Sequence, residues 1–293
     1  MDIYNYLLCL KSRLRLEQMD AETKNFIKGL EGEQQVENIL KQVDNLSYCY
    51  NLSLNLKNRI QIDFLVITDQ IIYHFEVKNY SSDYTFQDGY LSNDRGNKFN
   101  TPFQQLDRAN QELNEIITHY NINRELKSYL IFPNSTFTLK LMTAPSCHLL
   151  LPTELHKLPK LFRNFKTKEN RTILQIFENN RTDFSSIYNN IKSVPFEYIR
   201  GGLKCPNCKE IDCLKVNDKY MKLQCTNCLG IENRQYVYLY NLKELYFCKG
   251  EPFTVSEAEI WCRARNRDTI RRVCDKYFKV KGKKPKKYYL DEL

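Results

Sequence analysis

Residues 60–78, IQIDFLVITDQIIYHFEVK, decide the fold. Two runs rich in β-branched and aromatic residues, 60–67 and 71–78, flank the polar Thr68-Asp69-Gln70, a pattern that reads as a β-hairpin. Alternation puts Glu76 and Lys78 on one face of the second strand, and Asp63 interrupts the first strand in the same way. Charges inside apolar strands are costly to bury without partners. Pairing of the two strands brings two carboxylates and an amine within reach of one another.

Upstream, Phe26, Leu30, Val36, Ile39, Leu40 and Val43 recur at helical spacing, so a helix is expected from about Lys24 to Val43. Glu33 is aligned with its apolar stripe. Downstream, YTFQDGYLS places Asp88-Gly89 between two strand-like runs and predicts a second tight hairpin. A helix should follow Pro102, carrying Phe103, Leu106, Leu113, Ile116 and Ile117 inward. Strands are expected at 128–132 and 148–151, a Leu-rich helical stretch from Thr153, and a linker at Gly201-Gly202. Helices and strands alternate, which gives an α/β class with a mixed sheet flanked by helices.

Carboxylates such as Asp63 and Glu76 suit a hard divalent cation, Mg²⁺ above all, that stabilises charge on a scissile phosphate, with Lys78 orienting or activating water. A structural salt-bridge cluster would use the same residues, and spacing leaves both readings open.

Four stretches together resemble the successive motifs of the nuclease-related domain (NERD) family, of the PD-(D/E)XK nuclease-like class. They are EGEQQV (31–36), QIDFLVI (61–67), HFEVKNY (74–80) and TPFQQ (101–105), in the family's order and at similar separations. The resemblance covers roughly residues 20–150. It implies a restriction-endonuclease-like sheet and a DNA-hydrolysing endo- or exonuclease dependent on Mg²⁺ or Mn²⁺. The site it implies comprises Glu33, Asp63, Glu76 and Lys78, with the cation on Asp63 and Glu76. The family's Pro-x-x-Gln element falls on Pro102 and Gln105, where Gln105 would bond a phosphate or the site itself. Thr101 departs from the Asn often found before that proline.

The eleven cysteines are odd in number in a long chain, which favours reduced thiols over a disulfide scaffold. Cys205 and Cys208, then Cys225 and Cys228, form two Cys-x2-Cys pairs sixteen residues apart, the spacing of a zinc ribbon holding one structural Zn²⁺. A redox dithiol would use one pair and leave the other without a role. The remaining seven are expected as small buried side chains.

The net charge of +9 is local: residues 263–287 hold twelve Lys or Arg against two Asp, and the rest of the chain holds 32 basic against 33 acidic residues. Such a segment is suited to a polyanion. Ser256 with Glu259 reads as a capping box and Asp268 as the cap of a second helix burying Ile270, Val273, Cys274 and Tyr277. The pair reads as a helix-turn-helix, and KVKGKKPKKYYL (279–290) as a small wing or a flexible arm. Arg265, Arg267, Arg271, Arg272, Lys276, Lys283 and Lys284 are the expected nucleic-acid contacts, with DNA as the partner and RNA left open. A charged, solvated helical hairpin is the plainer alternative.

Four consecutive segments are expected: an N-terminal helical extension (1–20), a nuclease-like domain (21–200), a zinc ribbon (201–248) and a basic helix-turn-helix-like segment (249–293). Neither a secretory leader nor an apolar run long enough to span a bilayer is evident, so the expectation is a soluble cytoplasmic protein without a membrane partner. The leading function is DNA processing by hydrolysis. The alternatives are a non-catalytic DNA-binding or regulatory protein on a nuclease-like scaffold and a protein-assembly module.

Overall fold

The computed structural model describes residues 3–14, 19–99, 101–162, 167–182, 194–216, 220–264 and 266–290. The chain forms two compact units, one of residues 1–27 with 185–293 and the other of residues 28–184. Helix α1 (Ile3–Arg13) belongs to the first unit, and α2 (Ala21–Leu40) carries the chain into the second.

The second unit is built on a five-stranded mixed sheet. Its order is β1 (Ser47–Asn55), β2 (Arg59–Ile67), β3 (Ile71–Val77), then two later strands. The first three strands are antiparallel, as the hairpin pattern predicts, with Phe64 opposite Phe75 and Ile67 opposite Ile72. A smaller sheet follows from β4 (Ser82–Gln87), β5 (Tyr90–Asn93) and β6 (Lys98–Phe99), turning at Asp88-Gly89 where both φ angles are positive. Helix α3 (Thr101–His119) then returns the chain to β7 (Glu125–Ile131), which lies parallel to β3. Strand β8 (Phe137–Leu141) joins the small sheet, and β9 (His148–Leu150) closes the large one beside β7. The helical stretch expected from Thr153 is a 3₁₀ segment, Pro152–Leu161, and α4 (Thr167–Asn179) completes the unit.

The sheet is covered on both faces. Ala109, Leu113 and Ile116 of α3, with Leu174 and Phe177 of α4, pack on Ile60, Ile62, Leu65, Ile67 and Ile72. Val36 and Leu40 of α2, with Leu158 and Phe162, pack on Phe64, Val66, Tyr73 and Phe75. Ile62 and Leu65 therefore share a face although strict alternation would separate them. The slip falls at Asp63, across from Asn51, whose φ is 53°. A local twist of this kind re-aims a side chain, here the buried carboxylate of Asp63.

In the first unit, three short strands, β10 (Leu214–Lys215), β11 (Lys222–Cys225) and β12 (Ile231–Asn233), form an antiparallel sheet. Helix α5 (Arg234–Lys249) follows, then α6 (Val255–Cys262), α7 (Arg267–Tyr277) and the hairpin of β13 (Lys279–Lys281) and β14 (Lys287–Tyr289). Phe253 bridges to Tyr288, so the segment before α6 adds an edge to the hairpin. The expected helix-turn-helix and wing are both formed, with shifted caps. Thr254, not Ser256, caps α6 in a reciprocal box with Glu257, whereas Ser256 and Glu259 both accept from Arg267. Asn266 rather than Asp268 caps α7, its side chain accepting from the N–H groups of Asp268 and Thr269. Tyr277, expected inside, is exposed because α7 ends there and Phe278 turns inward instead.

Arg13 anchors α1 in this unit. Its buried guanidinium donates to Glu244 at 2.7 Å, to Asn241 at 2.7 Å and to the carbonyls of Arg200 and Gly202, and it lies 4.3 Å over the Trp261 ring. Lys204 pairs with the other oxygen of Glu244. No described helix is long and apolar enough to cross a membrane.

Candidate functional site

Asp63, Glu76 and Lys78 meet at the end of the β2–β3 pair. Asp63 is buried and its Oδ2 accepts the Val77 N–H at 2.7 Å, which fixes the carboxylate against the neighbouring strand. Glu76 is buried as well, and its Oε1 lies 2.7 Å from Lys78 Nζ. Glu33 approaches from α2, where its Oε2 accepts the Tyr50 hydroxyl at 2.5 Å.

Helix α2 can bring Glu33 here because residue 32 lacks a side chain. A Cβ on Gly32 would sit 2.7 Å from Asn79 Cβ and 3.1 Å from Pro133 Cγ. Asn79 in turn donates to the Lys28 carbonyl at 2.6 Å, tying the first turns of α2 to the segment after Lys78.

The electrostatics show an excess of negative charge. Burial is the main cause that raises the Asp63 pKa well above the usual carboxylate range, reinforced by Glu76 and Glu33. Burial also raises Glu33, against the Tyr50 hydrogen bond that lowers it. At Lys78, burial opposes the charge, but Glu76 and Asp63 outweigh it and hold the ammonium above the ordinary lysine value. Hard oxygen donors carrying surplus negative charge are the donor set that Mg²⁺ or Mn²⁺ takes, with water filling the remaining positions. As they stand, the four cysteines are the one group of three or more His, Cys, Asp or Glu side chains among the described residues drawn close enough to share a metal.

Gln105 is exposed near the start of α3. Tyr50 is the member that sequence reading missed. Its strand, SYCYNLSLN, is broken by polar residues, and only the tertiary fold brings it to Glu33, seventeen positions away.

The cysteine centre lies in the first unit. Sγ of Cys205 is 3.8 Å from that of Cys228, and Cys208 is 3.6 Å from Cys225, close to the edge of about 3.8 Å expected for four sulfurs at roughly 2.3 Å around zinc. Burial alone would raise the Cys225 thiol, yet the Cys228 N–H, the Cys213 thiol and the Asn227 N–H bring its pKa down to about 6. A Cβ on Gly230 would meet Asn207 Nδ2 at 2.6 Å and Cys228 Sγ at 3.3 Å, so a side chain there would have to push the Asn207 amide aside. The four cysteines are compatible with a structural zinc. Cys213, given no role by its spacing, packs beside them with its Sγ 3.3 Å from Cys225.

Among the expected nucleic-acid contacts, Arg267, Arg271, Arg272, Lys276, Lys283 and Lys284 are all exposed on α7 and the hairpin. Arg267 is bonded to Glu259 and Ser256, and Arg271 pairs with Asp268. Arg265 lies outside the described residues.

A mixed α/β domain with buried carboxylates and a lysine at the end of a strand pair is the class that the second unit defines. Residues 28–133 match the family model of the nuclease-related domain, NERD, a stretch that begins where this unit begins and contains Glu33, Asp63, Glu76, Lys78 and Gln105. The match spans the α2 segment from Lys28 through β7. No curated protein matches the chain, and no solved structure does.

Proposed function

We propose that the protein is a metal-dependent DNA nuclease whose second unit hydrolyses phosphodiester bonds and whose first unit supplies affinity for nucleic acid. The observation that carries this reading is the convergence of Asp63, Glu76 and Lys78, with Glu33 brought in by α2, inside a nuclease-related domain. Asp63 and Glu76 would hold Mg²⁺ or Mn²⁺, which supplies Lewis acidity at the scissile phosphate. Lys78 remains an ammonium at neutral pH, so it acts as a donor that orients water and offsets phosphate charge and does not take up a proton. Tyr50 fixes the Glu33 carboxylate, and Gln105 is assigned a phosphate contact on the strength of its motif. Arg267, Arg271, Arg272, Lys276, Lys283 and Lys284 would meet phosphates through α7 and the hairpin.

A second reading is a non-catalytic DNA-binding protein, favoured by the Lys78–Glu76 ion pair, which also serves a purely structural role. Cleavage of supercoiled and linear DNA in Mg²⁺ or Mn²⁺, beside Lys78→Ala and an EDTA control, separates the two. The nuclease reading expects cutting that EDTA abolishes and that Lys78→Ala lowers by roughly 100-fold or more, with DNA binding and the thermal transition retained. Binding without cutting on duplex, branched and single-stranded DNA would give the second reading the lead.

A further inference from the structure

The last hairpin concentrates like charge on one of its faces. Residues 279–287 hold six lysines and no Asp or Glu. Register sets Lys279 opposite Tyr289 and Lys281 opposite Lys287, so alternation gathers Lys279, Lys281 and Lys287 on one face of β13 and β14. All three are exposed. Side chains directly across an antiparallel pair stand about 5 Å apart at Cβ, and like charges there are destabilising. Among the described residues, none of Lys281, Lys283, Lys284, Lys286 and Lys287 has an ion-pair partner to offset that repulsion.

The opposite face holds the hairpin in place. Tyr288 is buried, its backbone exchanges hydrogen bonds with Phe253 at 2.7 and 3.0 Å, and its hydroxyl donates to Asp275 of α7 at 2.7 Å. Phe253 in turn stands edge-on to Phe278, with ring centroids 5.2 Å apart. A backbone fixed from behind presents the lysines in front of it as a set. Helix α7 is different, because its four basic residues share the helix with Asp268 and Asp275. Arg271 pairs with Asp268 at 3.1 Å, and Arg267 with Glu259 of α6 at 3.2 Å. The surplus positive charge of α7 and the hairpin is therefore on the hairpin.

We infer that the face of Lys279, Lys281 and Lys287 is a backbone clamp for duplex DNA, one that binds irrespective of sequence and supplies more of the affinity than α7 does. It rests on the nucleic-acid part of the proposed function and does not need cleavage. Lysine is a flexible point charge, suited to phosphate and poor at the two-pronged reading of a base edge. A duplex carries one negative charge per about 1.7 Å of its axis, a density that suits a face of lysines without acids among them. A phosphate bound between Lys281 and Lys287 relieves their repulsion, so binding recovers what the free hairpin loses.

Fluorescence anisotropy of labelled duplexes with the full-length zinc-loaded protein, without added Mg²⁺ and over a range of salt, tests the inference. Lys281→Gln with Lys287→Gln should flatten the slope of log affinity against log salt by about 2 and weaken binding roughly 10-fold or more at about 0.1 M salt, alike on duplexes of unrelated sequence. Arg267→Gln with Arg271→Gln removes the same net charge and should flatten the slope by less than about 1. Lys281→Arg with Lys287→Arg should keep the wild-type slope. The thermal transition of the Lys→Gln pair should be unchanged or higher, since the like-charge contact is gone, which also verifies that it is folded. Equal flattening by the two Gln pairs, or none by the lysine pair, overturns the clamp. So does a loss confined to one duplex sequence. A wild type that ignores every duplex but binds an acidic peptide until the lysines are changed overturns the clamp together with the nucleic-acid reading and makes the face a protein contact. Failure of cleavage with these salt slopes intact removes the nuclease reading alone and leaves the clamp standing.

Discussion

Glu112 projects from the buried side of α3 into the turn between β1 and β2, where the N–H groups of Leu56, Lys57 and Asn58 all donate to its carboxylate at 2.6 to 3.2 Å. Burial favours the neutral acid, but these backbone donors outweigh it and lower the pKa below the ordinary glutamate value. A depressed carboxylate stabilises the fold fully above its unfolded value, about 4.3, and that stabilisation is lost as pH falls through the folded value. Glu112→Ala should therefore cost roughly 3 kcal/mol in urea unfolding at neutral pH, with the gap to wild type closing only below about pH 4. A gap that stayed constant down to acid would refute the assignment. Residues of this kind are illegible in sequence because their partners are set by packing. Asp63, Glu76 and Lys78 were visible because charge breaks an apolar strand pattern, whereas Glu112 sits in a helix where a glutamate looks like solvent surface. Arg13 is hidden for the same reason, 231 positions from the Glu244 that it bonds.

Helix α2 carries two glycines with opposite surroundings. A Cβ on Gly29 meets nothing within 4 Å, while one on Gly32 would overlap Asn79 and Pro133. Gly29→Ala should leave the fold intact or raise stability by up to about 1 kcal/mol. Gly32→Ala should cost about 1 to 3 kcal/mol, because the obstructing atoms are a Cβ and a proline ring. It should also displace Glu33 and reduce any cleavage. Thermal unfolding of the two variants side by side checks the contrast, and equal behaviour would show that the close approach has no consequence. At this scale most elements followed from pattern: the β2–β3 hairpin, the Asp88-Gly89 turn, α3, β7, and the helix-turn-helix with its hairpin. Strand β1 did not, since its Ser and Asn residues dilute the alternation. The caps of α6 and α7 came out shifted by two residues, because Thr254 and Ser256, like Asn266 and Asp268, are chemically equivalent candidates that only backbone geometry separates.

Over the whole molecule, a linear reading takes the chain as four consecutive segments, while packing gathers residues 1–27 with 185–293 and leaves 28–184 as a body of its own. The cysteine centre belongs to the first of these units. Zinc chelation, or Cys225→Ser, should remove hydrogen-exchange protection from β10 to β12 and from the start of α5 while β2, β3 and α3 keep theirs. Loss of protection throughout both units would contradict this separation. Family motifs pointed to the acidic cluster and the paired cysteines to the four-cysteine group, because both depend on local spacing. Association of the first helix with residues 185–293 has no local signature.

That association has a consequence for the order in which the protein is made. Arg13 leaves the ribosome 231 residues ahead of Glu244, an interval of roughly 10 to 50 s at ordinary elongation rates. Throughout it, Tyr6, Leu7, Leu10 and Arg13, all buried in the finished protein, have not yet met α5. The body at 28–184 is complete in the emerging chain long before the unit that begins and ends the sequence can close. The nascent protein thus passes through a stage with one finished unit and an apolar helix awaiting its partners, the stage at which a chaperone would find something to hold.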